Sequence, residues 1–61
     1  MSETIDKMRI RVMLRRLSRI RDVLQGFAYD LEEMGERPLA GHLDSAVDHI
    51  DVVIELLEAE L

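Results

Sequence analysis

Three arginines in the N-terminal half of the chain have the spacing and the chemistry of a phosphate-binding surface. Arg11, Arg15 and Arg19 follow one another at intervals of four residues, which places them along one face of a helix. Guanidinium groups bind phosphate oxygens through paired hydrogen bonds. This arginine row is therefore a candidate contact for nucleic acid or for an acidic partner, and an RNA- or DNA-binding regulator is one hypothesis for the function.

The charge of the whole chain favours a different use of these arginines. The net charge is -5, ten of the thirteen acidic residues lie from Asp30 onward, and Tyr29 is the one tyrosine available for base stacking. An acidic second half repels phosphate, and a dimer doubles that repulsion. We therefore rank a basic face that is solvated or pairs with acidic helices above nucleic acid.

The histidines and serines do not form a pattern of catalytic or metal-binding residues. His42 and His49 lie two helical turns apart, about 10 Å along a helix axis, which is too far for one metal ion. The sequence has no cysteine, no glycine-rich phosphate loop and no nucleophile–base–acid constellation. We predict a non-enzymatic protein with no metal, no cofactor and no catalytic residue.

The elements that position these residues are set by one cluster of helix breakers, "MGERP" at residues 34–38. Gly35 can take the left-handed conformation that ends a helix, and Pro38 fits a first helical turn. The sequence predicts one domain over residues 1–61: a helix over 4–34, a turn over 35–37 and a helix over 38–60. The fold class is all-α, an antiparallel helical hairpin.

Apolar residues recur at alternating steps of three and four in both helices. Such a repeat keeps one stripe facing a neighbouring helix, as in coiled coils. We predict an oligomer interface made of these residues: Ile10, Met13, Leu17, Ile20, Leu24, Phe27, Leu31, Met34, Leu43, Val47, Ile50, Ile54 and Leu57.

A hairpin of this length needs support, because a 61-residue chain buries little surface and this one has no disulfide. The apolar arc of the second helix is also wider than one partner helix covers. We therefore expect self-association into a homodimeric four-helix bundle, or a higher oligomer.

Antiparallel packing predicts which charges face each other. With the turn near residues 35–38, Arg15 and Arg16 lie level with Glu58, Arg19 with Glu55, and Arg21 with Asp51. Basic residues that flank the apolar stripe are candidates for these pairs: Lys7, Arg9, Arg16 and Arg21. Gly26 lies inside the first helix, where we expect a close helix crossing or a slight kink.

The partner of this chain is predicted to be protein. No run approaches the roughly 18 apolar residues of a membrane span, and residues 1–10 do not have the pattern of a signal peptide. We expect a cytoplasmic protein without a membrane partner. Its predicted function is a small protein–protein interaction module of a regulatory, adaptor or assembly kind, which binds itself and a further protein.

Overall fold

The chain folds as two antiparallel helices joined by a short turn. The computed structural model describes residues 3–61, with side chains from residue 6 onward. Helix α1 spans Glu3–Glu33 and helix α2 spans Arg37–Glu58. The part of the chain so described has no strand, which confirms the predicted all-α hairpin. The predicted helix ends lie within one or two residues of these bounds, the usual precision for helix ends.

The turn is built on Gly35, as the sequence predicts. Gly35 has a φ of 80°, in the left-handed region that side chains disfavour. Its N–H donates to the carbonyl oxygen of Glu32, and the N–H of Glu36 donates to that of Leu31, at 3.0 Å and 2.8 Å. This pair of bonds is the Schellman motif, which satisfies carbonyl groups at the end of α1.

Helix α2 begins at once after this turn. Glu36 is its N-cap residue, with no hydrogen bond from the side chain, and Pro38 lies in the first turn. Proline is tolerated there because a first-turn N–H has no acceptor within the helix. The polypeptide therefore reverses direction within three residues, and α2 returns along α1.

The two helices meet along a seam of residues at alternating steps of three and four. The α1 side contains Ile10, Leu14, Leu17, Arg21, Leu24, Ala28 and Leu31, and the α2 side contains Ala40, Leu43, Val47, Ile50, Ile54 and Leu57. All are buried or half-buried, and Ala28, Ala40 and Val47 form the fully buried core of the described residues. Three small side chains make a thin core for two long helices.

The ion pair between Arg21 and Asp51 fixes which residues of the helices lie level. Level residues have numbers that add to about 72, close to the sums of 72 to 74 for the pairs predicted from the sequence. Residue 11 of α1 is therefore level with the end of the chain, and the preceding turns of α1 extend beyond α2. At this basic end of α1, α2 therefore covers one side of the helix at most.

Gly26 lies in the interior of α1 without the close crossing expected from the sequence. A Cβ atom added there meets nothing within 4 Å, and the residue is exposed. Gly26→Ala should therefore raise the free energy of unfolding by about 1 kcal/mol, because alanine loses less backbone entropy in a helix. Chemical denaturation at fixed protein concentration measures the change.

Gly35→Ala is the matched control, since the same methyl group also meets open space there but the backbone has a positive φ. The free energy of unfolding of this variant should be lower by about 1 kcal/mol. Destabilisation by Gly26→Ala would mean that Gly26 has a packing or bending role that its open surroundings conceal.

Candidate interaction surfaces

The structure divides the predicted apolar stripe of α1 into two parallel rows. Ile10, Leu17, Leu24 and Leu31 lie in the seam against α2, as do all five predicted residues of the second helix. The other four predicted residues of α1 are exposed by about half or more, namely Met13, Ile20, Phe27 and Met34. Their places in the seam are taken by Leu14, Arg21 and Ala28. In the single chain the predicted stripe therefore forms one row inside the hairpin and one row on its surface, and its assignment as an oligomer interface stays a prediction.

The exposed row continues onto α2. Met13, Ile20 and Phe27 each come directly before a seam residue of α1, and Leu39 and Val53 each come directly before a seam residue of α2. Two antiparallel helices are related by a pseudo-twofold axis perpendicular to both, so positions with the same offset from the seam lie on the same side. The two rows therefore form one continuous surface of the hairpin.

We call this surface the apolar face. It contains Met13, Ile20, Val23 and Phe27 of α1, Met34 of the turn, and Leu39, Val53 and Leu56 of α2. These eight are the majority of the thirteen large apolar side chains that are exposed in the described part of the chain. Exposed apolar surface gathered on one side of a small protein marks an interaction site.

The opposite side of the hairpin is polar. Gln25, Tyr29 and Glu32 of α1 and Asp44 of α2 line a shallow depression on this side. Asp51 follows Asp44 by seven residues on α2 and pairs with Arg21, with 3.4 Å between Nε of Arg21 and Oδ1 of Asp51. The hairpin therefore has one polar side and one side rich in exposed apolar residues.

Arg21 occupies a seam position that a leucine would otherwise fill. Its Nε atom is shielded from solvent and has no hydrogen bond of good geometry, although Asp51 is within ion-pair distance. A second oxygen contact comes from Asp22, at 3.5 Å from the guanidinium. The predicted pairing of Arg21 with Asp51 is therefore confirmed.

The other predicted ion pairs between the helices are not formed. Among the side chains from residue 6 onward, each ion pair present involves Arg21. Arg9, Arg15, Arg16 and Arg19 are exposed. Because the seam follows Leu14 rather than Met13, the α1 surface that carries these arginines is turned away from α2, and the acids of α2 are out of reach.

Two exposed apolar residues lie among these arginines and were not singled out from the sequence. Met8, Arg9, Val12, Met13 and Arg16 line a shallow groove, which continues along Val12, Arg15, Arg16 and Arg19. Met13, at the edge of this groove, belongs to the apolar face, and we call the other six residues the basic groove. Met8 and Val12 fall outside the predicted stripe, and the signal that identifies them is their own spacing of four residues on the face with Arg15 and Arg19. Arg11, the third member of the predicted arginine row, is exposed beside them.

The histidines lie on the edge of the apolar face and not in a ligand cluster. His42 and His49 are exposed, and Leu56 continues their row at the same interval. The described residues contain no group of three potential His, Cys, Asp or Glu ligands for a metal ion. Neither of the described helices has a stretch long and apolar enough to cross a membrane.

Comparison of the chain with protein-family models, with curated proteins and with solved structures gives no match. The surfaces described above are therefore the basis for assigning a function.

Proposed function

We propose that this protein is a small non-enzymatic protein–protein interaction module that acts as a homodimer, in which two hairpins pack through their apolar faces into a four-helix bundle. The observation that carries the proposal is the apolar face, whose eight large side chains are between 45% and 71% exposed in the single chain. Burying a large apolar side chain contributes about 1.5–3 kcal/mol, so covering this face is strongly favourable.

The size of the apolar face suits a second copy of the hairpin. The hairpin measures 49 Å by 14 Å between Cα atoms, a flat projection of roughly 690 Å². Stable interfaces bury about 800 Å² per partner once surface relief is included. The single hairpin also needs further burial to be stable, because the three small residues buried in its seam do not offset the conformational entropy that the helices lose on folding.

Charge complementarity favours an antiparallel arrangement of the two copies. A twofold axis at the level of Val23 places Met13 beside the partner's Met34 and Ile20 beside the partner's Phe27. The same axis places the exposed Arg16 beside the partner's Asp30. If both turns lie at the same end instead, Arg16 is level with the partner's Leu56 and has no acid there. The antiparallel arrangement therefore brings apolar residues of the two copies together and also places opposite charges side by side.

The proposal is tested by sedimentation equilibrium together with a single introduced cysteine, since the chain has none of its own. We expect a dimer at micromolar concentration, and Val23→Cys should form an intermolecular disulfide on mild oxidation because the two sulfur atoms meet at the axis. Val12→Cys, the same substitution on the outward surface of α1, is the control. It should form no intermolecular disulfide, so the oxidised protein should be a monomer after denaturation. A folded monomer throughout the micromolar range would disprove the dimer.

Other parts of the assignment remain predictions. The cytoplasm stays the predicted location. Nucleic-acid binding through Arg11, Arg15 and Arg19 stays the alternative function, and the experiment on the basic groove below distinguishes it from protein binding. The regulatory, adaptor or assembly role requires a further partner, whose chemistry the basic groove suggests.

A further inference from the structure

The basic groove lies on a third surface of α1, outside the seam, and adjoins the apolar face at Met13. Met8, Val12, Arg15 and Arg19 form a row of their own at steps of three and four, on the side of α1 that points away from α2. A second hairpin on the apolar face leaves this row uncovered. We propose that the basic groove binds an acidic amphipathic helix of a different protein.

The first argument is charge. The stretch from Lys7 to Arg21 contains no acidic residue, and Asp22 is the first acid that follows on this surface. The arginines of the groove make no ion pair with any side chain that the structure describes. Arg16 faces the partner's Asp30 in the proposed dimer, whereas the positive charges of Arg9, Arg15 and Arg19 remain free to attract a further, negatively charged partner.

The second argument is the apolar pair inside the groove, which favours a helix over nucleic acid. Met8 is 59% exposed and Val12 is 39% exposed, and arginines surround both. A phosphate backbone gains no apolar burial from these two side chains, whereas an amphipathic helix buries its own apolar row against them. Met8 also adapts its shape readily, as methionines do on helix-binding surfaces.

The third argument is that α1 already packs against such a helix on its other side. The C-terminal half of α2 sets Ile54 and Leu57 against the seam of α1 and carries Asp51, Glu55 and Glu58 beside them. Arg21 pairs with Asp51 across this contact, so the basic half of α1 packs against an acidic amphipathic helix within this same chain through apolar residues and one ion pair. The basic groove repeats this combination of aliphatic and basic residues on the uncovered side.

The probe for this proposal is a fluorescent three-heptad peptide with leucine at the seam positions, glutamate at the flanking positions and alanine elsewhere. We expect saturable binding to the full-length protein, measured by fluorescence anisotropy. Met8→Ser with Val12→Ser should weaken it at least about tenfold at every salt concentration, because the lost burial is apolar. Arg15→Gln with Arg19→Gln should weaken it about tenfold at low salt and flatten its salt dependence.

Arg37→Gln is the matched control, since Arg37 is exposed at the opposite end of the hairpin and its replacement should leave the affinity unchanged. A peptide of the same composition with leucines all round the helix should bind weakly. Sedimentation of each variant shows whether the dimer persists, which separates this proposal from the proposed function. Unchanged peptide binding after Met8→Ser with Val12→Ser would overturn the proposal. Tighter binding of an RNA hairpin or of anionic vesicles than of the peptide would overturn it as well.

Discussion

Ile20→Glu is expected to raise the dissociation constant of the dimer at least about 100-fold, because each dimer loses two buried isoleucines and gains two carboxylates in an apolar interface. Ile20 is 48% exposed in the single hairpin and lies between Met13 and Phe27 in the exposed row. The side chain therefore contributes little to the seam and much to the proposed interface. Sedimentation equilibrium over a range of concentrations measures the constant directly.

Tyr29→Glu is the control for this experiment. Tyr29 is 66% exposed and lies on the polar side of the same helix, so the same carboxylate is solvated there and the dimer should persist. Equal dissociation constants for Ile20→Glu and the unchanged protein would contradict the assignment of the apolar face. Thermal denaturation adds a second readout, since the midpoint of a dimer rises with concentration and that of a monomer does not.

Val47→Asp is expected to unfold the hairpin at any concentration, with a loss of several kcal/mol. Val47 is 4% exposed, in the middle of the seam, where a carboxylate has neither water nor a cation. Losses of this size are typical of unpaired charges placed in a core. Circular dichroism at increasing protein concentration should show low helicity throughout.

Val53→Asp makes the same change on the same helix at a position that is 45% exposed on the apolar face. Its effect should depend on concentration, because the carboxylate harms the contact between copies and not the seam. If Val53→Asp unfolds the chain as completely as Val47→Asp even at high concentration, then the seam and the apolar face are one cooperative unit.

The sequence predicts the hairpin well because its signals are local. Gly35 and Pro38 mark the reversal through their backbone preferences, and the helices follow from periodic apolar residues over many turns. That Arg21 and Asp51 lie at the same height along the hairpin follows from helix geometry alone. Each of these features depends on a residue and its near neighbours, or on the constant rise of a helix.

The seam of α1 is harder to predict because two rows satisfy the same spacing. Ile10, Leu17 and Leu24 belong to both, and either Met13, Ile20 and Phe27 or Leu14, Arg21 and Ala28 complete the repeat. The second set is less apolar, so a reading by hydrophobicity selects the first. In the folded chain Arg21 is acceptable in the seam because Asp51 lies opposite, and Ala28 lets the helices approach closely. Both reasons come from α2 and are not contained in the periodicity of α1.

The turn at Gly35 also determines the order in which this molecule assembles. Each pair of level residues in the seam lies at about equal distances from Glu36 along the chain, so contacts nearest the turn close the shortest loops and form with the least entropic cost. We expect the hairpin to close from the turn outward, in a unimolecular step. In the proposed dimer, the joining of two apolar faces is a bimolecular step and slows on dilution. Because the core of the single hairpin is thin, dilution should therefore also lower the stability of the closed hairpin.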